Sequence, residues 1–98
     1  MAHFARINEA SRVTDVLPVD NANCGGGTFP ESEPIGNAFL NSHGFPGVWK
    51  QTSYNNSFRY NFACNEMLYD VEKDAFYSTT SPGPGWTFNE TTLRWVGP

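Results

Sequence analysis

The distribution of apolar positions along the chain predicts hairpins joined by polar tips, with one short helix between them. Phe4, Ile7, Val13, Val16 and Val19 flank the polar tetrad Asn8-Glu9-Ala10-Ser11, which predicts a first hairpin. Proline cannot donate to a ladder, so Pro18 places the second arm of that hairpin at a sheet edge. Residues 20–31 are rich in breakers, with Gly25-Gly26-Gly27 at their centre, and predict a long loop.

Ser32 then stands where a helix cap is expected, Glu33 in the first turn where the dipole favours negative charge, and Pro34 where the first turn tolerates it. Ile35, Ala38, Phe39 and Leu40 share one face at helical spacing, and Gly44 supplies a stop after His43. The expected helix covers residues 33–43 and is too short to stand without a sheet to pack on.

Beyond Gly44-Phe45-Pro46-Gly47 the pattern returns to strands. Residues 48–54 form one, and Asn55-Asn56 a turn. In Phe58-Arg59-Tyr60-Asn61-Phe62, strict alternation predicts a strand with aromatics on one face and Arg59 and Asn61 on the other. Two more hairpins follow, Leu68–Asp70 with Ala75–Tyr77 and Trp86–Phe88 with Leu93–Val96. Their tips, Asp70-Val71-Glu72 and Asn89-Glu90, resemble Asn8-Glu9 of the first. Ser81-Pro82-Gly83-Pro84-Gly85 connects the last two as a stiff, irregular segment. The expected fold is therefore mainly β: a small antiparallel sheet, sandwich or barrel of hairpins with one helix, in a single domain spanning residues 1–98.

Composition changes this picture in one respect. Apolar residues make up 39% of the chain and aromatics 15%, so aromatic rings must supply much of the interior. With a formal charge of −4 and six Lys and Arg residues scattered singly, the chain has no basic stripe for a phosphate backbone, and no nucleic-acid partner is expected. No apolar run approaches the ~20 residues of a membrane span, and the first residues lack the order of a secretory signal, so synthesis in a cytoplasm and no membrane partner are expected.

Candidate chemistry is sparse. Cys24 and Cys64 lack metal-ligand spacing and predict two reduced thiols; a zinc site shared with His3 or His43 is the weaker alternative. His43, at the helix end, is expected to engage the helix C-terminus and not to act as a base. Glu9, Asp70, Glu72, Asp74 and Glu90 lie at turn tips, where solvated carboxylates are the simpler expectation than a facing catalytic pair. The three glycines lack the Lys-Ser/Thr of a phosphate-binding loop. No catalytic residue, cofactor or metal is expected.

Several segments taken together resemble a family of short proteins in marine tailed phages, notably phages of cyanobacteria. They are Met1-Ala2-His3-Phe4-Ala5, the run from Val48 to Asn55 into Phe58-Arg59, Tyr69-Asp70 with Asp74-Ala75-Phe76, and Trp86-Thr87-Phe88-Asn89-Glu90 with Trp95-Val96-Gly97-Pro98. The resemblance covers most of the chain and departs at residues 81–85, where a more aromatic segment would be expected. It implies a phage setting more than a role; the role expected in that setting is a virion accessory protein, either a capsid decoration (cement) subunit or a small tail component. Such a protein is made in the host cytoplasm, found in the virion, and present in many copies or as a symmetric homo-oligomer against other virion proteins. Phe4, Cys24, Gly25, Gly26, Gly27, Phe29, Trp49, Trp86 and Trp95 are the expected interface residues. Two other readings stay open: a glycan-binding module using exposed aromatics, and a small infection-stage enzyme or inhibitor.

Overall fold

The computed structural model describes all residues, 1–98. Its elements run β1 (Ala2–Ile7), β2 (Val13–Val19), a 3-10 turn (Asn21–Cys24), α1 (Ser32–Ser42), β3 (Val48–Thr52), β4 (Leu68–Asp70), β5 (Ala75–Tyr77), β6 (Thr87–Asn89) and β7 (Arg94–Val96). The chain is mainly β, with small antiparallel sheets and one α-helix, as the hydrophobic pattern predicts. One sheet has the order β2-β1-β3; β4-β5 and β6-β7 are separate two-stranded sheets. Pro18 lies in β2, which is an outer strand of the first sheet, where a missing N–H costs least.

Strand β1 is covered on both faces because its side chains alternate. Phe4 joins Val19, Cys24, Leu40 and Trp49 in one cluster, beneath α1. Ala5 joins Val13, Ala63, Tyr69 and Phe76 in a second cluster, beneath the β4-β5 hairpin. Only 18 of the 98 residues are buried, so each cluster is small and depends on tight packing. The molecule is elongated, 44 × 24 × 21 Å.

Helix α1 differs from expectation in which face it buries. Ser32, Gly36 and Leu40 are inward, whereas Ile35 and Ala38 are exposed and Phe39 is half-buried. Ser32 is the first helical residue and not the cap; its hydroxyl donates to Gln51 Oε1 at 2.7 Å. Small residues face the sheet because Phe4 comes close enough to occupy the space a side chain would need. At the other end His43 Nδ1 lies 2.8 Å from the Phe39 carbonyl, and Gly44 adopts φ +90°.

The stripe beside the buried one closes the free edge of β3. Asn41 Oδ1 accepts from Gly47 N and its amide donates to Gly47 O; Asn37 Oδ1 accepts from Trp49 N at 3.1 Å; Glu33 Oε2 accepts from Gln51 N at 2.7 Å. Residues four apart on a helix rise about 6 Å, and residues two apart on a strand about 6.6 Å. The near match lets three successive helix side chains meet the backbone of alternate residues Gly47, Trp49 and Gln51, in place of a neighbouring strand.

Residues 54–66 do not form the strand that alternation predicts. Asn56, Arg59, Tyr60 and Glu66 all have φ between 56° and 74°, a region closed to an extended ladder. Arg59 is buried while Tyr60 is exposed. Arg59 donates through Nη1 and Nη2 to the Glu33 carboxylate, through Nε to Asp74 Oδ1 at 2.8 Å, and through Nη1 to Gln51 O at 2.9 Å. Asn61 donates to Phe76 O and Leu93 O. These polar anchors, absent from any periodicity argument, outweigh the ladder. The loop at residues 20–31 also departs from expectation at its start: Asn21–Cys24 is a 3-10 turn, and Cys24 is buried in the first cluster.

Candidate functional site

Two surfaces remain uncovered once these layers are packed. The first is an open groove of about 670 Å³ at the end of the β1-β3 pair, lined by Ile7, Asn8, Glu9, Ala10, Gly47 and Val48. Ile7 and Val48 are the last cross-strand partners of that pair, so no further rung covers them. Val48 is 53% exposed, and the neighbouring Phe45 43%. Gly47 helps to open the groove: a Cβ there would lie 2.8 Å from Arg6 Cδ, and its φ of +141° suits glycine. The Arg6 guanidinium crosses over the Trp49 ring, donates to Pro46 O at 2.9 Å and pairs with Asp15. Hydrogen bonds from Arg6 and Thr14 hold the Asp15 carboxyl below its usual range.

The second surface lies where the two C-terminal hairpins meet. Both use one turn design, in which Asp70 Oδ1 accepts from the N–H groups of Glu72 and Lys73, and Asn89 Oδ1 from those of Thr91 and Thr92. Each turn ends on a left-handed residue, Asp74 (φ 52°) and Leu93 (φ 56°). The first hairpin follows suit, with Asn8 Oδ1 accepting from Ala10 N and Arg12 N before Ser11 at φ 61°. The likeness of the three tips noted in the sequence thus has a shared mechanism.

Hairpin β6-β7 is fastened by Asn61 to Leu93 O, by Arg94 to Asn61 Oδ1 and Tyr60 O, and by Trp95 Nε1 to Ser78 O. One face carries Phe88 opposite Trp95, with ring centroids 5.2 Å apart, and Tyr77 lies 5.8 Å from Phe88. The Trp86 ring lies against Gly97, where a Cβ would stand 3.2 to 3.4 Å from three of its carbons. Between the hairpins a cleft of about 320 Å³ is lined by Asp70, Lys73, Tyr77, Phe88, Glu90 and Leu93. Lys73 Nζ donates to Glu90 O, bridging the two turns.

Compared with known proteins, the chain matches no family model, no curated protein and no solved structure.

The residues expected to form an interface divide sharply. Phe4, Cys24 and Trp49 lie in the interior, at 0 to 1% exposure, because β1 and β3 need large apolar groups beneath α1. Burial, and next the charge of Asp20, push the Cys24 thiol up, away from the reactive thiolate. Gly25, Gly26 and Gly27 are exposed; Phe29 is half-buried, stacked on Phe58 at 4.0 Å. Trp86 is exposed and Trp95 half-buried. The groove residues Ile7 and Val48 are not among the expected interface residues, because the pairing of β1 with β3 that brings them together is not legible in the sequence.

His43 and Cys64 line neither surface. No group of three or more His, Cys, Asp or Glu side chains is placed to hold a metal ion. No helix is long and apolar enough to cross a membrane.

Proposed function

We propose that the chain is a non-catalytic virion accessory protein of a tailed phage, a capsid decoration subunit or small tail component acting by protein-protein contact. The observation that carries the contact role is the groove bounded by Ile7, Ala10 and Val48, an apolar surface the chain itself leaves open. The phage setting rests on the resemblance of the segments that begin at Met1, Val48, Tyr69 and Trp86.

Contact through this groove uses side chains and not strand addition, because the side chains of Glu33, Asn37 and Asn41 occupy the neighbouring edge of β3. A standard interface takes roughly 800 Å² from each partner, a modest share of the 5781 Å² of surface here. Many copies related by symmetry would multiply a small contact into stable attachment.

Mass spectrometry of purified particles tests the setting: the chain is expected in fixed stoichiometry to the major capsid or tail protein, and its absence from particles ends the proposal. Val48→Asp tests the groove. It is expected to leave the chain folded and to strip it from particles, whereas full occupancy by that variant would move the contact elsewhere.

A further inference from the structure

The cleft between the C-terminal hairpins is distinct from the groove and has different chemistry. Tyr77 and Phe88 form one wall, their rings inclined at 46°, and Leu93 lies at the base. Around them stand two carboxylates and one ammonium, from Asp70, Glu90 and Lys73. The Glu90 carboxylate accepts no hydrogen bond from the chain, Asp70 engages the turn through Oδ1 alone, and the Tyr77 hydroxyl has no partner in the chain. Free acceptors thus face an aromatic wall in a cleft at the small end of the ~300–1,000 Å³ range of small-molecule sites.

We propose that this cleft binds a neutral saccharide, stacking a sugar ring on Tyr77 and Phe88 while Asp70 Oδ2 and the Glu90 carboxylate accept sugar hydroxyl groups. Sugars present apolar C–H faces and a rim of hydroxyl donors, the two complements that such a wall and such acceptors require. Charge narrows the class. An anionic ligand meets two carboxylates, and the Lys73 ammonium, held at the cleft by Glu90 O, offsets one of the two charges that would attract a cation. A purely apolar ligand would strip water from both carboxylates without replacing their hydrogen bonds. A neutral polyhydroxylated ligand meets no like charge and replaces the water on both carboxylates with its own hydroxyl donors. The Lys73 bridge also fixes the spacing of the hairpins before a ligand arrives, so little ordering is left for binding to impose.

The site does not depend on virion location, and its test is separable from that of the groove because the two surfaces share no residue. The full chain is titrated with maltohexaose, cellohexaose and chitohexaose while its amide NMR signals are followed. At least one of the three is expected to shift the signals of Asp70, Lys73, Tyr77, Phe88 and Glu90, with an affinity that is the same at low and high salt. Tyr77→Ala and Glu90→Gln are each expected to weaken it by roughly tenfold or more. Glu90 is exposed, so its variant retains the fold and isolates the charge-assisted acceptor, glutamine keeping one neutral acceptor oxygen. Any of four results overturns the proposal: no shifts at about 10 mM of any probe, shifts confined to residues outside the cleft, unchanged affinity in Glu90→Gln, or tighter occupation of the same residues by methylammonium or inorganic phosphate.

Discussion

Gly36 of α1 lies so close beneath the Phe4 ring that a Cβ on it would stand 2.2 Å from Phe4 Cζ. An ideal helix would prefer alanine there, by about 1 kcal/mol. The steric cost exceeds that preference, since overpacking a core typically costs about 1–3 kcal/mol and Phe4 is fully enclosed. Gly36→Ala is expected to lower the urea midpoint, and Gly36→Ala with Phe4→Leu to recover part of the loss. A single variant more stable than the parent would mean that the helix can lift from the sheet at no cost.

Closure of the β3 edge gives a second expectation. In Asn37→Ala the N–H of buried Trp49 loses its acceptor, a loss of about 1–3 kcal/mol if nothing replaces it. The uncovered edge should also recruit another chain. Sedimentation velocity is expected to show concentration-dependent association of Asn37→Ala, with the parent as the reference. A variant as stable as the parent and no more associated would show that the helix ladder does not guard this edge.

What was legible in the sequence, and what was not, follows from the range of the interactions involved. The hairpins were legible because Asn8, Asp70 and Asn89 act on N–H groups two to four residues ahead. The strand expected at Phe58–Phe62 was not, because Arg59 answers to Glu33 and Asp74, 26 and 15 residues away. Alternation identifies which residues share a face, but it does not say which face is inside. The helix shows the same limit: of its large apolar residues only Leu40 is buried, while Ile35 is exposed, Phe39 is half-buried and Gly36 is inside because Phe4 fills the space against it. Phe4, Cys24 and Trp49, expected at an interface, belong to the core for the same reason: the sequence does not show what packs over them. The cleft was half legible, its turn carboxylates and aromatics visible but their convergence set by Asn61 and Arg94.

The Asn89 turn offers a local test. Its Oδ1 accepts from two successive N–H groups at 2.8 and 3.0 Å. Asn89→Ala is expected to cost about 1 kcal/mol, the usual value of such a side-chain cap. Because the turn positions Glu90 and Leu93, amide exchange across residues 87–96 should quicken more than in β1. Uniform exchange rates in parent and variant would assign the order of this hairpin to Trp95 and Arg94 instead.

Stability should fall at both ends of the pH scale, for separate reasons. Burial alone would raise the Asp74 carboxyl. The hydrogen bonds from Tyr69 and Arg59, with the charges of Arg59 and Lys50, instead hold it below its ordinary value of 3.8. A lowered folded pKa means stability that is present above that ordinary value and lost as pH falls through the folded one. Burial, then the hydrogen bond to Asp74, push Tyr69 from 10.0 up to about 12. A raised pKa works in the other direction: its contribution is complete below pH 10.0 and is eroded as pH rises toward about 12. Urea midpoints across pH should therefore decline below about pH 4 in the parent and less so in Asp74→Asn. The alkaline decline should be reduced in Tyr69→Phe. A parent profile flat to pH 2 would remove Asp74 from this account.

Arg59 carries the largest expected effect because no other cation reproduces its geometry. Burial would lower its pKa, but the hydrogen bonds and charges of Glu33 and then Asp74 raise it, so the guanidinium stays charged in the interior. Its fork meets both Glu33 oxygens, its Nε meets Asp74, and its Cζ lies 4.8 Å from the Phe29 ring centroid and 5.6 Å from that of Tyr69. Lysine keeps the charge and loses the fork, leaving at least one carboxylate short of a donor. Arg59→Met goes further and leaves Glu33 uncompensated, a change that costs about 3–5 kcal/mol at a buried pair. Since a domain of this size is stable by only about 5–10 kcal/mol, Arg59→Met should lose roughly half of its margin and unfold at a much lower urea concentration, with Arg59→Lys intermediate, as read by near-ultraviolet circular dichroism of the aromatic core. The triple variant Arg59→Met, Glu33→Gln, Asp74→Asn separates an unpaired charge from lost packing. Removing the stranded carboxylates should restore most of the signal, and a triple variant no better than Arg59→Met would place the contribution of Arg59 in its contacts with Phe29 and Tyr69.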